Sequence, residues 1–176
     1  MWLRDLLPQA FKHARIASFS YKSGWISQNH KTDLYASANQ LLMELRHHRG
    51  PDARYRPLVL IGHSFGGLVI QQALIIARLR DEFSDLQKAI CGMIFLGTPF
   101  AGSDLASFRK WCNSFLAEMV DIDTRVLKLL DKNSSTLFQL SRDFWGAYQS
   151  WDIICFYENQ VTAYGGRIFK AQVYLV

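Results

Sequence analysis

Cysteine is scarce in this chain and follows no pattern. The three cysteines, Cys91, Cys112 and Cys155, are an odd number with no C-x-x-C pair, and no histidine stands at ligand spacing from any of them. A structural zinc site is not expected, and the usage fits a reducing, intracellular and cytoplasmic setting. Nothing else in the sequence calls for a metal or an organic cofactor. No secretory leader is expected either, because Met1-Trp2-Leu3-Arg4-Asp5 carries charge at once and builds no apolar stretch. Internal repeats, low-complexity tracts and a convincing domain boundary are also missing, so residues 1–176 are read as one domain.

Charge of either sign is modest. Twenty Lys and Arg against fifteen Asp and Glu leave a formal charge of +5, and the basic residues are scattered. Their only clusters, Arg46-His47-His48-Arg49 and Arg78-Leu79-Arg80, fall at expected helix ends, where cations complement the helix dipole; nucleic acid is not an expected partner. Between Pro57 and Ala77 charge vanishes for 21 residues, a length that could cross a bilayer. Gly62-His63-Ser64, Gly66-Gly67 and Gln71-Gln72 interrupt that run, which parses instead as a buried strand, a tight turn and a buried helix. With 49% hydrophobic residues the chain has the material for a core, and disorder is not expected.

What is present is an alternation of strand-like and helix-like segments. Residues 2–12 read as a short helix, 15–21 as a strand and 22–29 as a polar loop. Thr32 is a plausible cap for a helix running to about His48, with Leu34, Ala38, Leu41, Leu42 and Leu45 at helical spacing, and Gly50-Pro51 ends it. Residues 57–62 have the continuous apolar character of a parallel strand covered on both faces, and 65–80 form a helix that is apolar nearly all round. Further strands are expected at 89–96, 152–157 and 172–176, and the stretch 103–148 is helical with breaks near Asp121 and Asn133. The fold class that follows is α/β: a three-layer α/β/α sandwich around a mostly parallel, doubly wound sheet.

The chemistry sits at Gly62-His63-Ser64-Phe65-Gly66. Here a buried strand turns directly into a buried helix through G-x-S-x-G, the pattern of a nucleophile elbow. Ser64 stands at the apex of a strained turn with positive φ, and Gly62 and Gly66 leave the room that side chains would fill where strand and helix approach. At that apex a serine hydroxyl is presented above the carboxyl edge of the sheet, and the N–H of Phe65 is positioned to stabilise an oxyanion. His63, adjacent to the serine in sequence, points away from its hydroxyl and is a packing residue.

The run Arg56-Pro57-Leu58-Val59-Leu60-Ile61-Gly62-His63-Ser64-Phe65-Gly66-Gly67-Leu68-Val69, followed by Gly92-Met93-Ile94-Phe95-Leu96-Gly97-Thr98-Pro99, resembles a lipase-like group of α/β-hydrolases. This group comprises the serine esterase domains of serine active site-containing proteins and similar domains of fungal signalling proteins, where they precede nucleotide-binding or repeat modules. Trp2, Asp5-Leu6-Leu7-Pro8, Ala14-Arg15-Ile16 and Phe156-Tyr157-Glu158 extend the resemblance over most of the chain. It implies that Ser64 is the nucleophile and Glu158 the triad acid, with Asp104 as the alternative acid. It implies an ester or lipid-ester substrate, and for some members a mitochondrial or endoplasmic-reticulum membrane location.

Two departures bear on activity. Where the group has Gly-Thr-Pro-His-Arg-Gly, this chain has Gly97-Thr98-Pro99-Phe100-Ala101-Gly102, without the imidazole and guanidinium. The triad order of the fold is Ser, acid, His, yet all five histidines, His13, His30, His47, His48 and His63, lie at or before the elbow. The resemblance therefore reads the chain as an incomplete α/β-hydrolase domain, cut at both ends, without its catalytic His, its first oxyanion loop or the central strand that carries that loop. Two readings remain open: a serine hydrolase acting on carboxylic esters, inactive in this form, or a non-catalytic recognition module.

Overall fold

The computed structural model describes residues 5–20, 30–50, 53, 55–63, 65–98, 100, 134–148, 151–158 and 171–175. The first helix, α1 (Leu7–Ala10), is a single turn with Pro8 near its start, no side-chain cap and no buried residue. The longer helix expected there has no apolar face to bury, since Leu6 and Phe11 are both exposed. Residues 15–20 are irregular rather than a strand; Tyr21 lies outside the described residues, as does the expected loop at 22–29. Ile16 and Phe19 are three apart, so a strand would send them to opposite faces. Only Phe19 packs against the core, as a single anchor.

Helix α2 (His30–Arg49) begins two residues before Thr32, which lies inside the helix rather than capping it. Leu34, Ala38, Leu41 and Leu42 form its buried stripe, and Gly50 closes it with φ +51°, the left-handed conformation that a helix end favours and glycine tolerates. Arg49 then donates to the carbonyls of Ala53 and Arg56, which ties the end of α2 to the start of β1 (Leu58–His63). Helix α3 (Phe65–Arg78) follows, with buried residues on every side.

A 3-10 turn, Asp81–Phe83, and a short helix, α4 (Ser84–Ala89), lead to β2 (Ile90–Leu96). Arg80 donates to Asn39 Oδ1 at 2.8 Å and Arg46 meets Glu82 at 3.0 Å, so the exit of α3 lies against α2 from its middle toward its end. Helix α5 (Ser134–Tyr148) precedes β3 (Ile153–Glu158) and β4 (Ala171–Leu175); the rest of the helical stretch expected from 103 lies outside the described residues. Phe144 of α5 is fully buried and meets Phe95 of β2 edge to face at 5.8 Å between ring centroids. The Tyr148 hydroxyl donates to the Leu74 carbonyl at 2.8 Å, fixing α5 on α3.

The sheet order is β1-β2-β3-β4, the first three strands parallel and β4 antiparallel to β3. This is an α/β arrangement with a mostly parallel sheet. Because β1, β2 and β3 advance in one direction, right-handed crossovers put α3 and α5 on the same face, and α2 packs on α3 there. Leu60, Met93, Phe95, Ile153 and Cys155 are buried under these helices. On the opposite face Val59 is 50% and Ile61 39% exposed, so the described residues form two layers of the expected sandwich. The reversal of strand order that makes a sheet doubly wound is not among them. Neither is a strand paired with the outer edge of β1: residues 15–20, which the sequence pattern sets nearby, do not pair there.

An uncharged edge strand with exposed β-branched residues is a template for pairing with another chain. The isolated chain is expected to self-associate, its weight-average mass rising with concentration in sedimentation, and Val59→Lys or Ile61→Lys should suppress the rise. A concentration-independent monomer would contradict this account of the edge.

Burial raises the Tyr148 phenol above its ordinary value, against smaller lowering effects of Arg78 and Gln87. Stability linked to the neutral phenol is complete below about pH 10, its unfolded value, and is lost as pH rises through the higher folded value. Tyr148→Phe should lower stability by about 1 kcal/mol at pH 7 and flatten the alkaline part of a urea-midpoint profile. An unchanged profile would show that the phenol does not anchor α5.

Candidate functional site

β1, β2 and β3 are parallel, so their carboxyl ends share one edge. There β1 ends at His63 and α3 begins at Phe65; Ser64 lies between them in sequence and is outside the described residues, as is its φ. The geometry around it is set by the glycines. A Cβ added at Gly62 would lie 2.7 Å from Gly67 Cα, 2.9 Å from Gly67 N and 2.9 Å from Ile70 Cδ1, so strand and helix touch there backbone to backbone. At Gly66 an added Cβ would meet nothing within 4 Å. The need for space that the sequence pattern assigns to Gly66 falls instead on Gly67, where an added Cβ would come within 2.5 Å of Thr98 Cγ2 and closer still to Thr98 Oγ1.

Gly67 and Thr98 are thus residues that the pattern reading passes over. The signal is in the sequence: Gly66 is followed by a second glycine, and Thr98 belongs to the Gly97-Thr98-Pro99 turn after β2. Gly97 has φ +56°, a left-handed conformation that turns the chain back so that Thr98 sits beneath the first turn of α3. Thr98 is 2% exposed.

The first turn of α3 presents the positive end of the helix dipole to the carboxyl edge. Phe65 occupies its first position and packs its ring partly against the core. Glu158 is the last residue of β3 and stands opposite Ala171 of β4. In register, His63 is level with Leu96 and Leu96 with Phe156, which places Glu158 two residues further toward the elbow's edge. β3 is two strands from β1, a lateral distance of about 9.6 Å. The topology therefore gathers the end of β1, the Gly97-Thr98 turn and the backbone of Glu158 at one edge. Asp104 is outside the described residues.

His63 follows Gly62, which faces α3, so by strand alternation His63 is on the other face of the sheet; it is exposed. His47 and His48 are exposed at the far end of α2, and His13 is exposed in the turn after α1. Among the described residues no cluster of His, Cys, Asp and Glu could hold a metal ion. Cys91 is exposed and Cys155 buried, and neither is in a disulfide. No helix of the described residues is long and apolar enough to cross a membrane.

No family model matches the chain, and no solved structure matches it. Among curated proteins it is similar to Protein SERAC1 of Mus musculus and of Homo sapiens, each 28% identical over 174 residues, covering 95% of this chain and 25% of the relative. Protein SERAC1 of Danio rerio is 25% identical over 181 residues, with 98% of this chain and 26% of the relative covered. The chain thus spans about a quarter of the length of the curated relatives it matches. These comparisons support a likeness to Protein SERAC1 and lend no support to the fungal signalling proteins.

Proposed function

We propose that this chain is a domain of the serine hydrolase type, with the α/β-hydrolase fold, in which Ser64 receives an acyl group from a carboxylic ester. The observation that carries the reading is the contact of Gly62 with Gly67, which sets the end of β1 against the start of α3 on either side of Ser64 in the sequence, as a G-x-S-x-G elbow requires. In this reading the Ser64 hydroxyl attacks the ester carbonyl and its proton passes to a general base. The oxyanion is stabilised by the Phe65 N–H at the start of α3, the alcohol leaves, and water releases the acid from the acyl-enzyme. Glu158, at the same edge and two strands away, would orient the base, with Asp104 as the alternative acid. The likeness to Protein SERAC1 spans the elbow, and the group it resembles suggests lipid esters at a mitochondrial or endoplasmic-reticulum membrane.

One observation favours the non-catalytic reading: every histidine of the chain is at or before position 63. An unassisted serine hydroxyl is a weak nucleophile near neutral pH. The 176-residue chain is therefore expected to hydrolyse an aryl acetate no faster than its Ser64→Ala variant. Ser64-dependent turnover would mean that one of the five histidines serves as the base. In the full-length native protein a fluorophosphonate probe is expected to label Ser64 and to fail on Ser64→Ala. If it labels neither, the recognition-module reading is the one that stands.

A further inference from the structure

Two fully buried polar side chains near the elbow make no hydrogen bond among the described residues: both amide atoms of Gln71, 0% exposed, and Thr98 Oγ1. A lone buried amide or hydroxyl carries its whole desolvation penalty, and native cores rarely leave one unpaired. Gln71 is four residues after Gly67, on the same face of α3. Helical side chains lean toward the helix N-terminus, so Gln71 covers the turn that begins at Gly67. Gly67 has no side chain to occupy that place, and Thr98 comes up from the β2 turn to fill it. Gly67 thus lies between Thr98, which fills its open side, and the Gln71 side chain one helical turn on.

We propose that Gln71 and Thr98 form a buried polar latch across Gly67, bridged by one shared water molecule, that fixes the first turn of α3 to the carboxyl end of β2. A water between them can donate to the Gln71 carbonyl oxygen while accepting from the Thr98 hydroxyl, or accept from the Gln71 NH₂ while donating to Thr98 Oγ1. The pair are positioning residues: they touch no substrate but hold the helix turn whose N–H groups face the corner. The latch stands whether or not Ser64 is a nucleophile.

The test is a double-mutant cycle on the 176-residue chain with Thr98→Val and Gln71→Leu, read as urea midpoints, with amide exchange of Gly66, Gly67 and Leu68 followed in parallel. Each single change should lower the midpoint and speed exchange in that first turn more than elsewhere in α3. The double variant should be no less stable than the weaker single. Thr98→Ser, which keeps the hydroxyl, should retain its coupling to Gln71. Additive effects, or single variants as stable as the parent, would overturn the latch. Should the variants fail to fold, a high-resolution crystal structure of the unaltered chain decides. Gln71 and Thr98 both within about 3.2 Å of a common water is the expected result, and two separate environments the contrary one.

Discussion

The approach of α3 to β1 at Gly62 and Gly67 is the constraint on which the rest of the structure depends. With an added Cβ at Gly62 only 2.7 Å from Gly67 Cα, no side chain fits between strand and helix at the corner, and the helix axis is drawn down onto the sheet. A helix seated so low is enclosed on all sides. α2 covers one flank through Leu34, Ala38 and Leu42, α5 the other through Phe144 and Tyr148, and the sheet the third through Leu60 and Met93. This is why α3 contains so little polar surface: Leu68, Val69, Ile70, Ala73, Leu74, Ile76 and Ala77 are all buried, and an amphipathic stripe would leave polar groups without water.

The same constraint makes the two faces of the sheet unequal. One face receives the helices that the β1-α3-β2 and β2-α5-β3 crossovers deliver; the other presents Val59 and Ile61 to solvent. Parallel strands are ordinarily covered on both faces, and the apolar sequence of β1 suits such cover. The exposure of every second residue in β1 is thus a property of the described neighbours rather than of the strand's composition.

Elements with internally consistent signals were legible in the sequence. Residues 58–63, 65–78, 90–96 and 153–158 each combine a continuous apolar run with a turn at its boundary, and the structure forms each within two residues of the expected limits. The strand expected at 15–21 was a weaker case: Ile16 and Phe19 fit neither face of a pleat, and β-propensity without a partner strand is not enough to hold an extended segment in a sheet. The short helix α4 escaped notice because six residues with one polar face, Ser84–Ala89, look like any charged connection. At the site, the close approach of β1 and α3 at Gly62 could be read because the glycine spacing is a local pattern. The roles of Gly67 and Thr98 could not, since they arise from a contact between residues 31 positions apart that only the crossover of β2 beside β1 creates. For the same reason Glu158 could be named from its position after a strand, but its place two strands from the elbow needed the sheet order.

The histidines show what topology adds to such a reading. β1 is six residues long, about 20 Å, and α2 reaches its foot: Arg49 bonds carbonyls that precede the strand. His47 and His48, in the last turn of α2, are therefore at the opposite end of the sheet from the corner, and no choice of rotamer brings them to it. His63 is next to the corner but on the wrong face. His30 differs. It opens α2, and since Asn39 and Arg46 lie against the exit of α3, the beginning of α2 points back toward the carboxyl edge. From Asn39 to His30 is nine residues of helix, about 13 Å, a climb that brings the start of α2 toward the level of Phe65. Of the four histidines at 30, 47, 48 and 63, His30 alone thus begins an element at the elbow's end of the molecule on the helical side of the sheet. Among those four, a base reaching the elbow's edge would have to come from there, while His13 stands apart, exposed in the turn after α1.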